Sequence, residues 1–183
     1  YLSLGDIVLS QVKPDEQPTF EQFSEARKNY ALVRASTQDI ALTSDATFNE
    51  GGVLERAAEN PEGLINYYFT FDKNKNDALS SGEFNAIGLK GAKAFSEYDL
   101  NGDKFLDFGE IAELAIMFSY AELENLYRIY NEKFASTAGA RISEATQKIG
   151  FACEKQGRPS EMLTMYFEDI KKFGNDPSRV GVD

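Results

Sequence analysis

Residues Asp99 to Glu110 read D-L-N-G-D-K-F-L-D-F-G-E, and candidate oxygen ligands recur through this stretch at fixed positions. Positions 1, 3, 5, 9 and 12 carry side-chain oxygens and position 7 offers a backbone carbonyl, from Asp99, Asn101, Asp103, Asp107, Glu110 and Phe105 respectively. Asp107 is expected to act through a water, and Glu110 to supply both carboxylate oxygens. Ca²⁺ takes about six to eight oxygen ligands, whereas Mg²⁺ demands strict octahedral geometry. The stretch therefore favours Ca²⁺, with Mg²⁺ as the alternative ion.

A second stretch repeats the pattern. Residues 72–83 read D-K-N-K-N-D-A-L-S-S-G-E. Its expected ligands occupy the same positions as in residues 99–110, namely Asp72, Asn74, Asn76, the carbonyl of Ala78, Ser80 at the water position and Glu83. The sequence therefore predicts one or two bound ions.

Both stretches resemble the calcium-binding loops of the EF-hand superfamily. Each has an apolar residue at position 8, through which loops of this family pair, and an apolar helical stripe before it. Position 6 departs from the family, since Asp77 and Lys104 stand where glycine is expected for a backbone turn with positive φ. Such a turn costs lysine about 1 kcal/mol. The resemblance also implies that the Asp99 loop binds more tightly, because affinity in the family follows ligand charge.

Two weaker frames extend the resemblance. Residues 37–52 are rich in polar residues and glycine and are predicted to form a loop. Within them, the frame Ala41–Gly52 is either an EF-hand that has lost its ligands or a plain loop. The frame 135–146 has also lost its ligands, and with Ile142 at position 8 it is predicted to be the structural mate of the Asp99 loop.

The fold class expected from these features is all-α, an array of helix–loop–helix units in two paired-hand lobes with an additional C-terminal helix. The domains are predicted as an N-terminal arm at 1–18, a first pair at 19–90, a second pair at 91–157, and a helix and tail at 158–183. The arm either folds back over the core or docks on another protein. Thr19 with Gln22 predicts a helix start, and Asn60-Pro61 predicts a helix break.

Three shorter predictions complete the helical assignment. Residues 84–98 allow two helices of about seven residues, separated near Gly88 and Gly91. A helix is expected from about Ser143 to Lys155, and Ser160 is expected to cap the last one.

Composition excludes several functional classes. The 183 residues carry a net charge of −11 and no visible basic patch, which argues against nucleic acid as a partner. There is no histidine and one cysteine, Cys153, so zinc clusters and Cys–His dyads are absent from the sequence. No phosphate-binding loop or nucleophile motif is present, and we expect no enzyme activity.

The expected setting is an intracellular, reducing compartment, although one cysteine is weak evidence for it. No apolar run is long enough to predict a transmembrane segment, and we expect no secretory signal.

The predicted function is that of a Ca²⁺-responsive regulatory or adaptor module that acts through a dedicated protein partner. A non-catalytic structural subunit, rigidified by Ca²⁺, and a Ca²⁺ buffer are the alternatives. Methionine is scarce, with three residues, whereas phenylalanine and tyrosine are plentiful. Since promiscuous sensor grooves are rich in methionine, this composition favours a dedicated partner or a structural role. The oligomeric state is left open.

Overall fold

A computed structural model describes residues 18–137 and 139–173, and these residues are mostly helical, as the all-α prediction requires. The helices in chain order are α1 Phe20–Ser36, α2 Ile40–Glu59, α3 Glu62–Phe69, α4 Ser81–Ile87, α5 Phe108–Phe134, α6 Ile142–Lys155 and α7 Pro159–Phe173. Two short strands, β1 Leu79–Ser80 and β2 Phe105–Leu106, pair with each other.

Local signals set the start of α1 and the end of α2 where the sequence predicts them. The Thr19 hydroxyl accepts the Gln22 N–H at 3.3 Å, and the Gln22 side chain accepts the Thr19 N–H at 2.8 Å. This capping box satisfies two N–H groups that a helix start leaves without partners. Helix α2 ends at Glu59, and α3 begins after Pro61. The predicted helix start and the predicted break are both confirmed.

The predicted loop at residues 37–52 is wrong. Helix α2 runs through most of it, and its start is capped by Asp39, whose carboxylate accepts the N–H groups of Ala41 at 2.9 Å and Leu42 at 3.2 Å. Gly51 lies inside this helix because Tyr127 of α5 packs directly against it, and a methyl group there would collide with the tyrosine ring. The frame Ala41–Gly52 is therefore helix, and neither alternative proposed for it holds.

The frame 135–146 does not form the mate of the Asp99 loop either. The connection between α5 and α6 spans only residues 135–141, and Ile142 is the first residue of α6 instead of part of a strand. The Arg141 N–H donates to the Tyr130 hydroxyl at 2.9 Å, which ties the end of this turn to α5. The strand of the Asp99 loop pairs with the Asp72 loop instead.

The remaining predictions of helix bounds have mixed outcomes. The helix expected at 143–155 is confirmed as α6. Of the two helices expected within 84–98, α4 is present, but the second is one 3₁₀ turn at Phe95–Glu97. Helix α7 begins at Pro159 and so includes Ser160, the predicted cap. Most of the arm at 1–18 and of the tail after 173 lies outside the described residues, and the division into lobes at residue 90 stays a prediction.

Buried apolar residues form two clusters, and both α2 and α5 contribute to each. The first gathers α1, α3, α4 and the two strands around residues such as Tyr30, Tyr68 and Ile111. The second joins the remaining length of α5 to α6 around residues such as Tyr127, Tyr130 and Ile149. Loops 72–83 and 99–110, which are the candidate metal-binding loops, lie at the edge of the first cluster.

None of the helices in the described part of the chain combines the length and apolar character that crossing a membrane requires.

Candidate metal centre

The two ligand-rich loops are joined by their strands. Leu79 faces Leu106 and Ser80 faces Phe105 in an antiparallel pair. The side chains of Leu79 and Leu106 are fully buried in the first cluster, so the strand pair packs directly against this core. Loops 72–83 and 99–110 thus pair with each other, whereas the sequence predicted that residues 135–146 pair with the Asp99 loop.

The aspartate at position 1 organises the first half of each loop in the same way. One oxygen of Asp72 accepts the Lys75 N–H at 2.9 Å, and the other accepts the Asp77 N–H at 2.9 Å. The matching oxygens of Asp99 accept the N–H groups of Gly102 at 2.8 Å and Lys104 at 3.0 Å. Each loop thus curls its backbone around one carboxylate.

Position 3 adds a further shared contact. The Asn74 side-chain oxygen accepts the Asn76 N–H at 3.1 Å, and the Asn101 oxygen accepts the Asp103 N–H at 2.8 Å. A short polar side chain that bonds to the backbone two residues ahead stabilises a turn. The alternating ligand positions read from the sequence are therefore on one tight turn in each loop.

The glutamate at position 12 closes both loops. Glu83 accepts the N–H groups of Lys73 and Ser80, both at 2.9 Å, on its two different oxygens. Glu110 accepts the Leu100 N–H at 2.7 Å on one oxygen and the Asp107 N–H at 3.1 Å on the other. In each loop the last side chain therefore reaches back to position 2.

The backbone at position 6 has positive φ in both loops, as the resemblance implies. Asp77 has φ of 58° and Lys104 has φ of 73°. Position 4 is also left-handed, with φ of 58° at Lys75 and 75° at Gly102. Non-glycine residues populate this region at a cost of about 1–2 kcal/mol, so the loop shape is maintained against the intrinsic preference of both lysines.

The two loops differ in the residues that surround this shared frame. Position 5 is Asn76 in the first loop and Asp103 in the second, where the carboxylate accepts the Phe105 N–H at 2.8 Å. Position 9 is Ser80 in the first loop, and its hydroxyl donates to Glu83 at 2.7 Å. This hydroxyl and the Ser80 and Lys73 N–H groups hold the pKa of the Glu83 carboxyl below its usual value, because each stabilises the ionised form.

The donor set suits a hard cation. Both position-12 carboxylates are buried, with Glu83 9% and Glu110 5% exposed, and no lysine or arginine of the described residues forms an ion pair with either. Burying a carboxylate without a countercharge is costly, even when hydrogen bonds offset part of the cost. Asp72 and Asp99 are half-buried beside them, and the other predicted ligand residues lie at the exposed rim, apart from the half-buried Ala78 and Ser80. All offer oxygen atoms, which Ca²⁺ and Mg²⁺ prefer.

One cluster that the sequence did not predict lies elsewhere. Among the described residues, Glu124, Cys153 and Glu161 form the group of three acidic or thiol side chains whose ligand atoms all lie within 4.8 Å of one another. Glu124 pairs with Arg128 at 2.8 Å and also with Arg158. Two guanidinium groups already neutralise this site, so the cluster fits an ion-pair network between α5, α6 and α7. Its members are far apart in the sequence and carry no shared local signal.

A comparison of the chain with protein-family models finds no match, and comparisons with curated proteins and with solved structures find no significant match.

Proposed function

We propose that this chain is a Ca²⁺-binding protein of the EF-hand type, in which loops 72–83 and 99–110 form one coupled pair of ion sites. The observation that supports it best is that both loops repeat one hydrogen-bond pattern, position for position, across two different sequences. Solvated turns between helices have no reason to share buried closing glutamates, left-handed backbone at position 6 and a strand pair at position 8.

The residues that would hold the ions are those read from the sequence. In the first loop they are Asp72, Asn74, Asn76, the Ala78 carbonyl, Ser80 and Glu83; in the second they are Asp99, Asn101, Asp103, the Phe105 carbonyl, Asp107 and Glu110. A bound Ca²⁺ would supply the countercharge that the buried carboxylates lack. The Asp99 loop is the tighter site in this proposal, because it contributes three anionic ligands and the Asp72 loop contributes two.

The wider role that we propose is regulatory or adaptor, through a dedicated protein partner and without catalysis. Its chemistry is ion binding, for which histidine and a reactive thiol are unnecessary. Burial raises the pKa of the Cys153 thiol, so this side chain is a poor nucleophile. An intracellular, reducing setting fits a chain with a single buried thiol.

Calorimetric Ca²⁺ titration of the chain and of Glu110→Gln tests the proposal. The substitution keeps the shape of the side chain and removes its charge, and we expect the tighter site to weaken by at least about tenfold, or about 1.4 kcal/mol. Glu83→Gln should weaken the other site. Glu113→Gln is the matched control, because Glu113 is an exposed glutamate one turn further along α5. Unchanged binding in Glu110→Gln, or equal loss in Glu113→Gln, would contradict the assignment.

A structural subunit is the second candidate, and one observation favours it. Leu163, Phe167 and Ile170 form an exposed apolar row along α7, with 50%, 69% and 63% of their surfaces accessible. Binding of a hydrophobic dye with and without Ca²⁺ separates the two roles. A Ca²⁺-dependent rise in dye binding is expected of a regulatory module, whereas intact Ca²⁺ binding with unchanged dye binding would favour the structural subunit or a buffer.

A further inference from the structure

A groove of about 500 Å³ opens between α1, α2, α3 and the segment after α4. Most of its lining is apolar and includes Leu64, Leu89 and Phe118. Such grooves of several hundred cubic ångströms with apolar walls are typical binding sites. None of the twelve proposed ligand residues lines the groove.

The first described residues form one edge of this groove. Phe20 stacks on Tyr67 with ring centroids 3.6 Å apart and planes within 5°, and both rings line the groove. Pro18 is buried, and its carbonyl oxygen lies so close to Gly63 that a methyl group there would collide with it. The chain that precedes Pro18 therefore joins the fold beside Leu64, at the groove itself.

Residues 1–17 have the composition that this groove needs. The segment contains the aliphatic residues Leu2, Leu4, Ile7, Val8, Leu9 and Val12. A chain of this length spans up to about 55 Å when extended, which is far more than the groove requires. Aliphatic side chains this close to an apolar groove lower their free energy by leaving water for it.

The charges of the groove and of residues 1–17 are complementary. Lys28 and Lys90 line the groove, and neither pairs with a carboxylate of the described residues, in a chain with a net charge of −11. The other charges of the lining, Arg27, Glu50 and Glu122, are paired among themselves. Residues 1–17 carry Asp6, Asp15 and Glu16 against Lys13, a net charge of −2 from side chains.

We propose that residues 1–17 of the chain occupy this groove as an intramolecular ligand, with the Ile7-Val8-Leu9 run against its apolar walls. An external partner that uses the same groove then has to displace the arm first. The proposal does not depend on ion binding, so its failure leaves the Ca²⁺ assignment intact, and the reverse also holds.

Tryptophan fluorescence of the full chain tests this placement, because the sequence contains no tryptophan and one substitution gives a single reporter. Val8→Trp and Leu4→Trp are two independent reporters in the arm. For a docked arm we expect emission that is blue-shifted relative to the same chain unfolded in urea, with slow quenching by acrylamide. Circular dichroism checks that each variant keeps its helices.

Three further substitutions locate the docking surface. Ala31→Glu places a charge in the groove wall from an exposed position on α1, and it should move the reporter emission to the red and speed quenching. Ala35→Glu is the same change one turn further along α1, outside the groove, and should leave the emission unchanged. Phe167→Glu changes the exposed row of α7 and should also have no effect.

Three outcomes would overturn the proposal. Solvent-exposed emission from both reporters in the folded chain means that the arm is not docked. Emission that responds to Phe167→Glu but not to Ala31→Glu means that the arm covers α7. A blue shift that disappears on dilution, together with a dimer in sedimentation, means that the groove holds the arm of a second copy.

Discussion

Loops 72–83 and 99–110 share one backbone and differ in charge. Asp72 and Asp99 each accept the backbone N–H groups of positions 4 and 6 of their own loop, and Glu83 and Glu110 close the loops in the same way. At position 5, however, Asn76 is neutral and Asp103 is anionic. The shape of such a loop therefore depends on where short oxygen-bearing side chains occur, whereas the number of carboxylates among them sets how strongly it attracts a cation.

The largest effect is expected from disrupting the strand pair that connects loops 72–83 and 99–110. Leu106→Ala removes a fully buried side chain beneath the strand pair and should lower the free energy of unfolding by about 2–5 kcal/mol, measured by urea denaturation. If the loops form one unit, Ca²⁺ affinity should fall in both. Phe105→Ala, next to it but 38% exposed, is the control and should cost much less. Weakening confined to the Asp99 loop would show that the strand pair does not couple the sites.

Exchanging the residues at position 5 tests whether charge is the difference that matters. Asn76→Asp should tighten the first site and Asp103→Asn should weaken the second, each by about 1–2 kcal/mol or about five- to thirtyfold in calorimetric titration. Asn85→Asp adds the same charge on α4, outside the loop, and should change affinity little. If the order of the two affinities survives both exchanges, ligand charge is not its cause.

Position 6 offers a smaller test of the shared backbone. Lys104→Gly relieves a left-handed lysine and should raise the free energy of unfolding by about 1 kcal/mol or less, since the flexibility of glycine in the unfolded chain offsets part of the gain. Asp77→Gly should gain less, because aspartate tolerates this region better than lysine. Urea denaturation of both variants checks the order, and an equal or reversed gain would contradict it.

The smallest expected effect is on the pH response of Glu83. Its pKa in the folded chain is below the ordinary value of 4.5, so the stability that its carboxylate contributes is present above that value and is lost as the pH falls through the lower, folded pKa. Ser80→Ala removes one donor, and the Glu83 pKa should then rise. Carboxyl ¹³C NMR titration measures the shift, with Ser81→Ala, an exposed neighbour, as the control. An unchanged pKa would mean that the hydroxyl does not stabilise this carboxylate.

The sequence predicts well those parts of the fold that depend on hydrogen bonds and backbone preferences of residues close together in the chain. The Thr19 capping box, the break at Pro61 and the turns of loops 72–83 and 99–110 each depend on residues a few positions apart. Side chains that bond to their own nearby backbone act before any tertiary packing, so their positions can be read directly.

The predictions for Ala41–Gly52 and for 135–146 were wrong because local sequence preference did not decide the structure there. Residues 37–52 look like a loop because glycine, serine and threonine are weak helix formers. Tertiary packing decides otherwise, since α2 buries Ala46 and Val53 in the first cluster and Phe48 in the second, and Gly51 makes room for Tyr127. Ala46, Val53 and Ala57 recur at helical spacing after the Asp39 cap, and this spacing is the local signal for the helix. In the frame 135–146, Ile142 has the spacing expected of position 8, but the frame lacks the expected ligands. Helix α6 begins at Ile142 itself, so this residue cannot form the strand of a second loop.

The turns of both loops were predictable because short oxygen-bearing side chains alternate along their sequences, whereas the assignment of these side chains as ion ligands stays a prediction. The hydrogen-bond partners of the closing glutamates were not predicted, although they lie at the same positions in both loops. The ion pair of Glu124 with Arg158 was not predictable either, because it joins residues 34 positions apart that only tertiary packing brings together. Nor could the sequence reveal the groove, whose walls come from separate helices.

Helix α5 begins at Phe108, carries Glu110 of loop 99–110 in its first turn, and runs 27 residues to Phe134 in contact with α2, α3 and α6. Because α5 contributes side chains to both buried clusters, its unfolding would expose apolar residues of both clusters to water. Heating is expected to end in one transition, in which the loops and the far end of α5 are lost at the same temperature.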